Sequence, residues 1–255
     1  MDKVNVNGVQ IAYERRGSGM PLVLLHGYPL DHRIWDEVVP LLEDDFELIL
    51  PDLRGFGQSE YVEAQYTMAD MAADVAALLD ELGIENTYIA GHSMGGYISL
   101  AFVRNYPQRV LGLGLIASQA LGDSPERRDG RYATADEIMQ TGVEAVVDSM
   151  TPKLTPDEQV QAVVRDLVAQ QRPIGLANAL RAMGERLDAM LVLPSFTFPV
   201  VLVHGTADEL IPVERAREIK ATIKPAYLTE LSGVGHVPML ENPQKTADTL
   251  KKLLK

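Results

Sequence analysis

The feature that most restricts the fold of this chain is a repeated grammar: a short unbroken apolar run, then turn residues, then a stretch with helical period. The runs are Leu22–Leu25 ending at His26-Gly27, Phe46–Leu50 ending at Pro51-Asp52, Thr87–Ala90 ending at Gly91, Val110–Ala117, Val200–Val203 ending at His204-Gly205, and Tyr227–Leu231. Apolar runs without polar alternation suit strands buried on both faces of a parallel sheet. The helical stretches are Ile34–Leu42, Met68–Leu82, Met94–Asn105, Val213–Ile223 and Thr246–Leu254. In the second of these, Met71, Val75, Leu78, Leu79 and Leu82 share a face and Gly83 acts as the stop. Ahead of them, Val4 and Val6 and then Val9, Ile11 and Tyr13 alternate around Asn7-Gly8, a hairpin signal. The pattern predicts an α/β fold with a mostly parallel central sheet flanked by helices.

The alternation breaks once. From about Gln119 to Leu193 there is no strand run, only helical pattern interrupted by Thr151-Pro152, Thr155-Pro156 and Arg172-Pro173. The expected organisation is a core of residues 1–118 and 196–255, with a helical cap of residues 119–195 inserted after the sixth strand. Such a segment leaves and rejoins the sheet at its carboxyl edge, where open α/β sheets bind ligands. Part of its apolar set, which includes Ile138, Val146, Met150, Leu180 and Met183, is therefore expected to wall a pocket.

Composition excludes several function classes. With 23 Lys and Arg against 36 Asp and Glu, the net charge of −13 repels phosphate backbones and anionic membrane surfaces, so neither nucleic acid nor membrane is expected as a partner. Cysteine is absent, which removes disulfides, thiolate zinc sites, iron–sulfur clusters and a cysteine nucleophile. The first residues lack a secretory pattern. The most apolar stretch, Leu191–Val203, holds two prolines and falls short of the roughly 20 residues a span requires. A cytoplasmic location is the expectation. The acidic stretch from Asp136 to Glu158 has no calcium-loop pattern, and Gly17-Ser18-Gly19 has no Lys-Ser or Lys-Thr after it. No metal or cofactor is expected.

The chemistry concentrates at Gly91-His92-Ser93-Met94-Gly95, a G-x-S-x-G that follows an apolar run and opens a helix. Glycines on either side allow strand and helix to approach while the serine takes a strained backbone conformation. Four further segments accompany it: His26-Gly27-Tyr28-Pro29, Asp52-Leu53-Arg54-Gly55-Phe56-Gly57-Gln58-Ser59, Gly205-Thr206-Ala207-Asp208 and Gly235-His236. Together they make the chain resemble the α/β-hydrolase superfamily over nearly its whole length. Within it the sequence is similar to small bacterial carboxylesterases and 3-oxoadipate enol-lactonases, which carry a helical cap at the place of the strand-free segment.

In that fold the triad runs Ser, then acid, then His. His26, His32 and His92 precede any acid that follows Ser93, and His204 lies ahead of the turn that holds the acid, which leaves His236. Asp208 is the expected acid, with Glu209 as runner-up and Asp123 as the alternative after the earlier strand. The backbone N–H of Met94 is one expected oxyanion donor, and the resemblance implies Tyr28 as the other. His26 and His204 are expected to bond nearby backbone, His92 to pack beside the elbow, and His32 to lie on the surface at a helix start. Asp52 and Arg54 are read as loop-fixing residues.

Serine rather than aspartate at position 93 argues against haloalkane dehalogenase or epoxide hydrolase chemistry. The expected activity is hydrolysis of small to medium carboxylic esters through an acyl-enzyme, with a small-molecule ester or lactone as the partner. The alternatives are an enol-lactonase or C–C bond hydrolase with the same triad, a perhydrolase side activity suggested by His26-Gly27-Tyr28-Pro29-Leu30, or a slow hydrolase-fold ligand receptor.

Overall fold

The computed structural model describes residues 1–224 and 226–255. Strands β1 (Asp2–Val6) and β2 (Val9–Gly17) form the antiparallel hairpin about Asn7-Gly8, whose φ angles of 51° and 78° are those the tight turn requires. Six strands follow: β3 (Met20–Leu25), β4 (Phe46–Pro51), β5 (Thr87–His92), β6 (Val110–Ile116), β7 (Val200–Gly205) and β8 (Ala226–Leu231). They form one sheet in the order β1-β2-β4-β3-β5-β6-β7-β8, antiparallel between β2 and β4 and parallel from β4 onwards. From β3 the chain first crosses to β4 on one side and later builds outward through β5 on the other. The loops after β3 and β5 therefore diverge, which opens a crevice at their carboxyl ends.

The helices are α1 (Val39–Leu42), α2 (Met68–Glu81), α3 (Met94–Asn105), α4 (Pro125–Thr141), α5 (Glu144–Leu154), α6 (Glu158–Ala169), α7 (Pro173–Gly184), α8 (Glu214–Thr222), α9 (Pro238–Glu241) and α10 (Pro243–Leu250). α2 starts at a reciprocal cap in which the Thr67 hydroxyl accepts from the Asp70 N–H and the Asp70 carboxylate accepts from the Thr67 N–H. The single helix expected over 34–42 is instead a 3₁₀ turn at His32–Trp35 followed by α1. Pro40 has no N–H to continue the ladder from the first turn, so the helix restarts there.

Leu22, Val23, Leu24 and Leu25 of β3 are fully buried, and burying each such side chain contributes about 1.5–3 kcal/mol. The insert α4–α7 follows β6, with α4 packed on α7 and α5 on α6. It seats closely on the core. A side chain at Gly175 of α7 would collide with the backbone of Gly55, and the Gln171 side chain accepts from Gly57 N–H and donates to Asp31. No helix among the described residues is long and apolar enough to cross a membrane.

Candidate active site

Ser93 stands between β5 and α3 with φ 51° and ψ −111°, a conformation that costs a non-glycine residue on the order of 1–3 kcal/mol and persists only where the surroundings enforce it. Here the backbone enforces it. The Ser93 N–H donates to the Ile116 carbonyl at 2.9 Å, and the Ser93 carbonyl accepts from Ser118 Oγ at 2.8 Å. Side chains at Gly91 or Gly95 would overlap the Gly95 backbone and the ends of Leu25 and His26, respectively. The two glycines thus let the start of α3 press against the ends of β3 and β5. Met94 is the first helical residue, and its N–H is one of those that a helix start leaves without an intrahelical partner.

Tyr28 lies on the loop leaving β3. That loop approaches the elbow because Gly27 has no side chain, and a Cβ there would meet the His92 imidazole. His92 is fully buried, donates from Nε2 to the His236 carbonyl at 2.8 Å, and packs its ring 4.9 Å from the His236 ring. The neighbour of Ser93 in sequence thereby holds the histidine loop against the elbow. Burial first, and then repulsion from His236, keeps the His92 imidazole neutral by lowering its pKa well below the usual value.

His236 Nδ1 donates to Asp208 Oδ2 at 2.7 Å, and both side chains are almost fully buried. The other carboxylate oxygen, Oδ1, accepts from the N–H groups of Leu210 and Ile211, each at 2.9 Å. His204 Nε2 donates to the Ile211 carbonyl at 2.7 Å and lies 3.2 Å from Asp208 Oδ2. Burial pushes the Asp208 carboxyl up. The His236 imidazole, the bonds from His204 and His236 and the Ile211 N–H outweigh it and hold the group well below the usual carboxylate range.

The consequence for stability has a definite sign. A carboxyl whose folded-state pKa lies below its unfolded value of about 3.9 stabilises the fold above that pH, and the contribution is lost as pH falls below it. The drop in urea midpoint between about pH 6 and pH 3 should accordingly be smaller for Asp208→Asn than for the parent chain. Equal drops would show that Asp208 is not held ionised.

The structure pairs Asp208 with His236 and leaves the other candidate acids apart. Glu209 is exposed. Asp123 is committed to the insert, where its fully buried carboxylate meets Arg131 Nε at 2.5 Å, Arg186 Nη2 at 2.7 Å and Arg127 Nε at 3.5 Å. His26 accepts from the Leu53 N–H at Nε2, 3.0 Å away. Arg54 is held by Asp74.

His32 differs from the sequence expectation. It is buried at 7% exposure, with Nδ1 on Asp52 Oδ1 at 2.7 Å, because the loop after Pro29 folds beneath Asp52, which also accepts from the N–H groups of His32 and Gln58. Asp31, His32 and Asp52 offer three ligand atoms within 4.8 Å of one another. Each is already engaged, by Arg33 and Gln171, by Asp52, or by His32 and Gln58, and the set fixes the loop that carries Tyr28.

Two groups near the site were not singled out in the sequence. The Glu241 carboxylate accepts the Gly235 N–H at 2.9 Å, bracing the histidine loop, and the His236 N–H donates to the Leu154 carbonyl of the insert at 2.8 Å. A cleft of about 580 Å³ opens beside Tyr28, walled by Ile138, Val146, Met150 and Leu180. Met183, expected among its walls, is buried instead against Arg131.

A strained serine elbow at the switch point of a mostly parallel sheet, with a bonded acid–histidine pair on the loops after later strands, defines a hydrolase-type α/β fold. The chain belongs to the alpha/beta hydrolase fold family, which it matches over residues 20–243. It is similar to an esterase from Thermogutta terrifontis solved with malate bound, with 32% identity, a TM-score of 0.95, and 100% of this chain and 98% of that one covered. The enol-lactonase from Burkholderia xenovorans LB400 gives 25% identity and a TM-score of 0.91 over 99% of both chains. Lipase 1 of Psychrobacter immobilis is 27% identical, covering 96% of this chain and 80% of the lipase.

Proposed function

We propose that the chain is a carboxylic-ester hydrolase in which Ser93 is the nucleophile, His236 the general base and Asp208 the residue that orients the base. The observation that carries this reading is the 2.7 Å bond from His236 Nδ1 to Asp208. It commits the proton to Nδ1 and leaves Nε2 with a lone pair to accept the serine proton. Ser93 Oγ attacks the ester carbonyl carbon as its proton passes to His236 Nε2. The N–H groups of Met94 and Tyr28 receive the developing oxyanion, each such donor being worth about 2.7–4 kcal/mol of barrier. Collapse breaks the bond to the alcohol oxygen, which takes the proton from His236. Water, deprotonated by the same nitrogen, then releases the acid from the acyl-enzyme.

Residues 119–195 form the cap in this reading and supply the acyl-side wall. The similarity to the enol-lactonase favours a second substrate form, an activated cyclic ester opened by the same steps. The test is twofold. A fluorophosphonate should label Ser93 alone and abolish turnover of short aryl esters, and a lactone series run beside the ester series ranks the two substrate forms. Inactivation with the label on another serine, or no turnover of any ester or lactone, would refute the proposal.

A further inference from the structure

The cleft beside Tyr28 carries a charge opposite in sign to that of the whole molecule. The chain carries −13 overall, yet Arg127, Arg131 and Lys153 line this one opening and Glu137 is the single carboxylate among its lining residues. Asp123 behind the wall does not neutralise them, because its one carboxylate is shared among Arg127, Arg131 and Arg186. Lys153 stands in no ion pair among the described residues. Three cations and one carboxylate therefore line the cleft, a surplus of two positive charges among its lining residues, while its buried walls, Ile138, Val146 and Leu180, together with Met150, are apolar.

An apolar channel with a cationic rim fits one chemical class: a chain of methylenes ending in an anion. Of the residues the proposed function assigns, Tyr28 lines the cleft, and since its N–H is the proposed donor to the acyl oxygen, the part of the substrate assigned to the cleft is the acyl chain. We infer that the preferred substrates are half-esters of dicarboxylic acids, whose acyl chain ends in a free carboxylate held by Lys153 and Arg127. This deepens the ester-hydrolase reading and rests on it. Lys153 stands in no ion pair among the described residues, and Arg127, exposed and 3.5 Å from Asp123, is less committed than Arg131, which Asp123 holds at 2.5 Å, so Lys153 and Arg127 are the groups placed to meet the ligand. A guanidinium suits a carboxylate because it presents two parallel donors.

The experiment compares monoethyl adipate with the ethyl ester of adipic acid monoamide, which has the same length and shape and a neutral end. At an ionic strength of about 20 mM the carboxylate ester should have a kcat/KM about tenfold higher, carried by KM, and the preference should shrink at about 500 mM salt, where charges are screened within a few ångströms. In the Lys153→Gln/Arg127→Gln double variant the ratio should fall towards one, and in Glu137→Gln it should rise. Both substituted positions of the double variant lie on the rim, and thermal unfolding confirms that the variant is folded. A parent ratio of one or below, or a ratio unchanged in the folded double variant, overturns the inference. A neutral aryl ester run in parallel separates the two claims. If it is hydrolysed without any carboxylate preference, only this inference fails, whereas if no ester is hydrolysed the ester-hydrolase reading fails with it.

Discussion

Ser93→Ala is expected to lower kcat/KM on a short aryl ester by about six orders of magnitude, the scale seen when a serine nucleophile is removed from a triad. The fold should not notice. What holds position 93 in its strained conformation is backbone bonding, from its N–H to Ile116 and from Ser118 to its carbonyl, and none of it uses the Ser93 hydroxyl. The variant should therefore unfold within a few degrees of the parent and take up no fluorophosphonate. A folded Ser93→Ala chain that keeps a tenth of the parent rate would remove the serine from the chemistry altogether.

Asp208→Asn should cost about four orders of magnitude in kcat while leaving the structure in place. An amide oxygen can still accept the Leu210 and Ile211 N–H groups that hold the loop, since both bonds fall on one carboxylate oxygen. The other oxygen has no such substitute. If it becomes an NH₂ group it can no longer accept from His236 Nδ1, and the ring loses both its tautomer and its counter-charge. Asp123→Asn is the control. It leaves the buried Arg186 and the largely buried Arg131 short of charge, so it should lower stability by several kcal/mol and kcat on a neutral ester by less than about tenfold. The opposite ranking of the two variants would move the acid to Asp123.

The parts of this molecule legible in its sequence are those set by local chemistry. Short unbroken apolar runs stopped by Gly91 and His204-Gly205 suit interior strands by their length and flanking glycines, and a serine flanked by glycines between such a run and a helix announces a tight elbow. Chain order then narrows five histidines to one. What stayed hidden depends on partners distant in sequence. His32 is buried because Asp52, 20 residues on, bonds both its ring and its backbone, and nothing adjacent to His32 encodes that. The i,i+4 spacing of Asp123, Arg127 and Arg131 could be seen, but which face of α4 meets the cleft is decided by its packing against α7. Pro40 was visible too, yet the hydrophobic spacing across it matched one helix, and the period outweighed the missing N–H.

The hydrogen bond from the His236 N–H to the Leu154 carbonyl bears on how such proteins can be recombined. The insert is not a hat resting on a finished machine. The last turn of α5 supplies an acceptor to the backbone of the proposed base, and Gly235 beside it leaves no room for a side chain against Leu154 and Pro156. A chimaera that exchanged the whole insert for that of a relative would change the footing of the imidazole. Transplants that keep 152–157 native and exchange only the segments before and after should preserve turnover where whole-insert grafts lose it. By the same coupling, swinging the insert away as a rigid lid would break the bond that holds the His236 backbone.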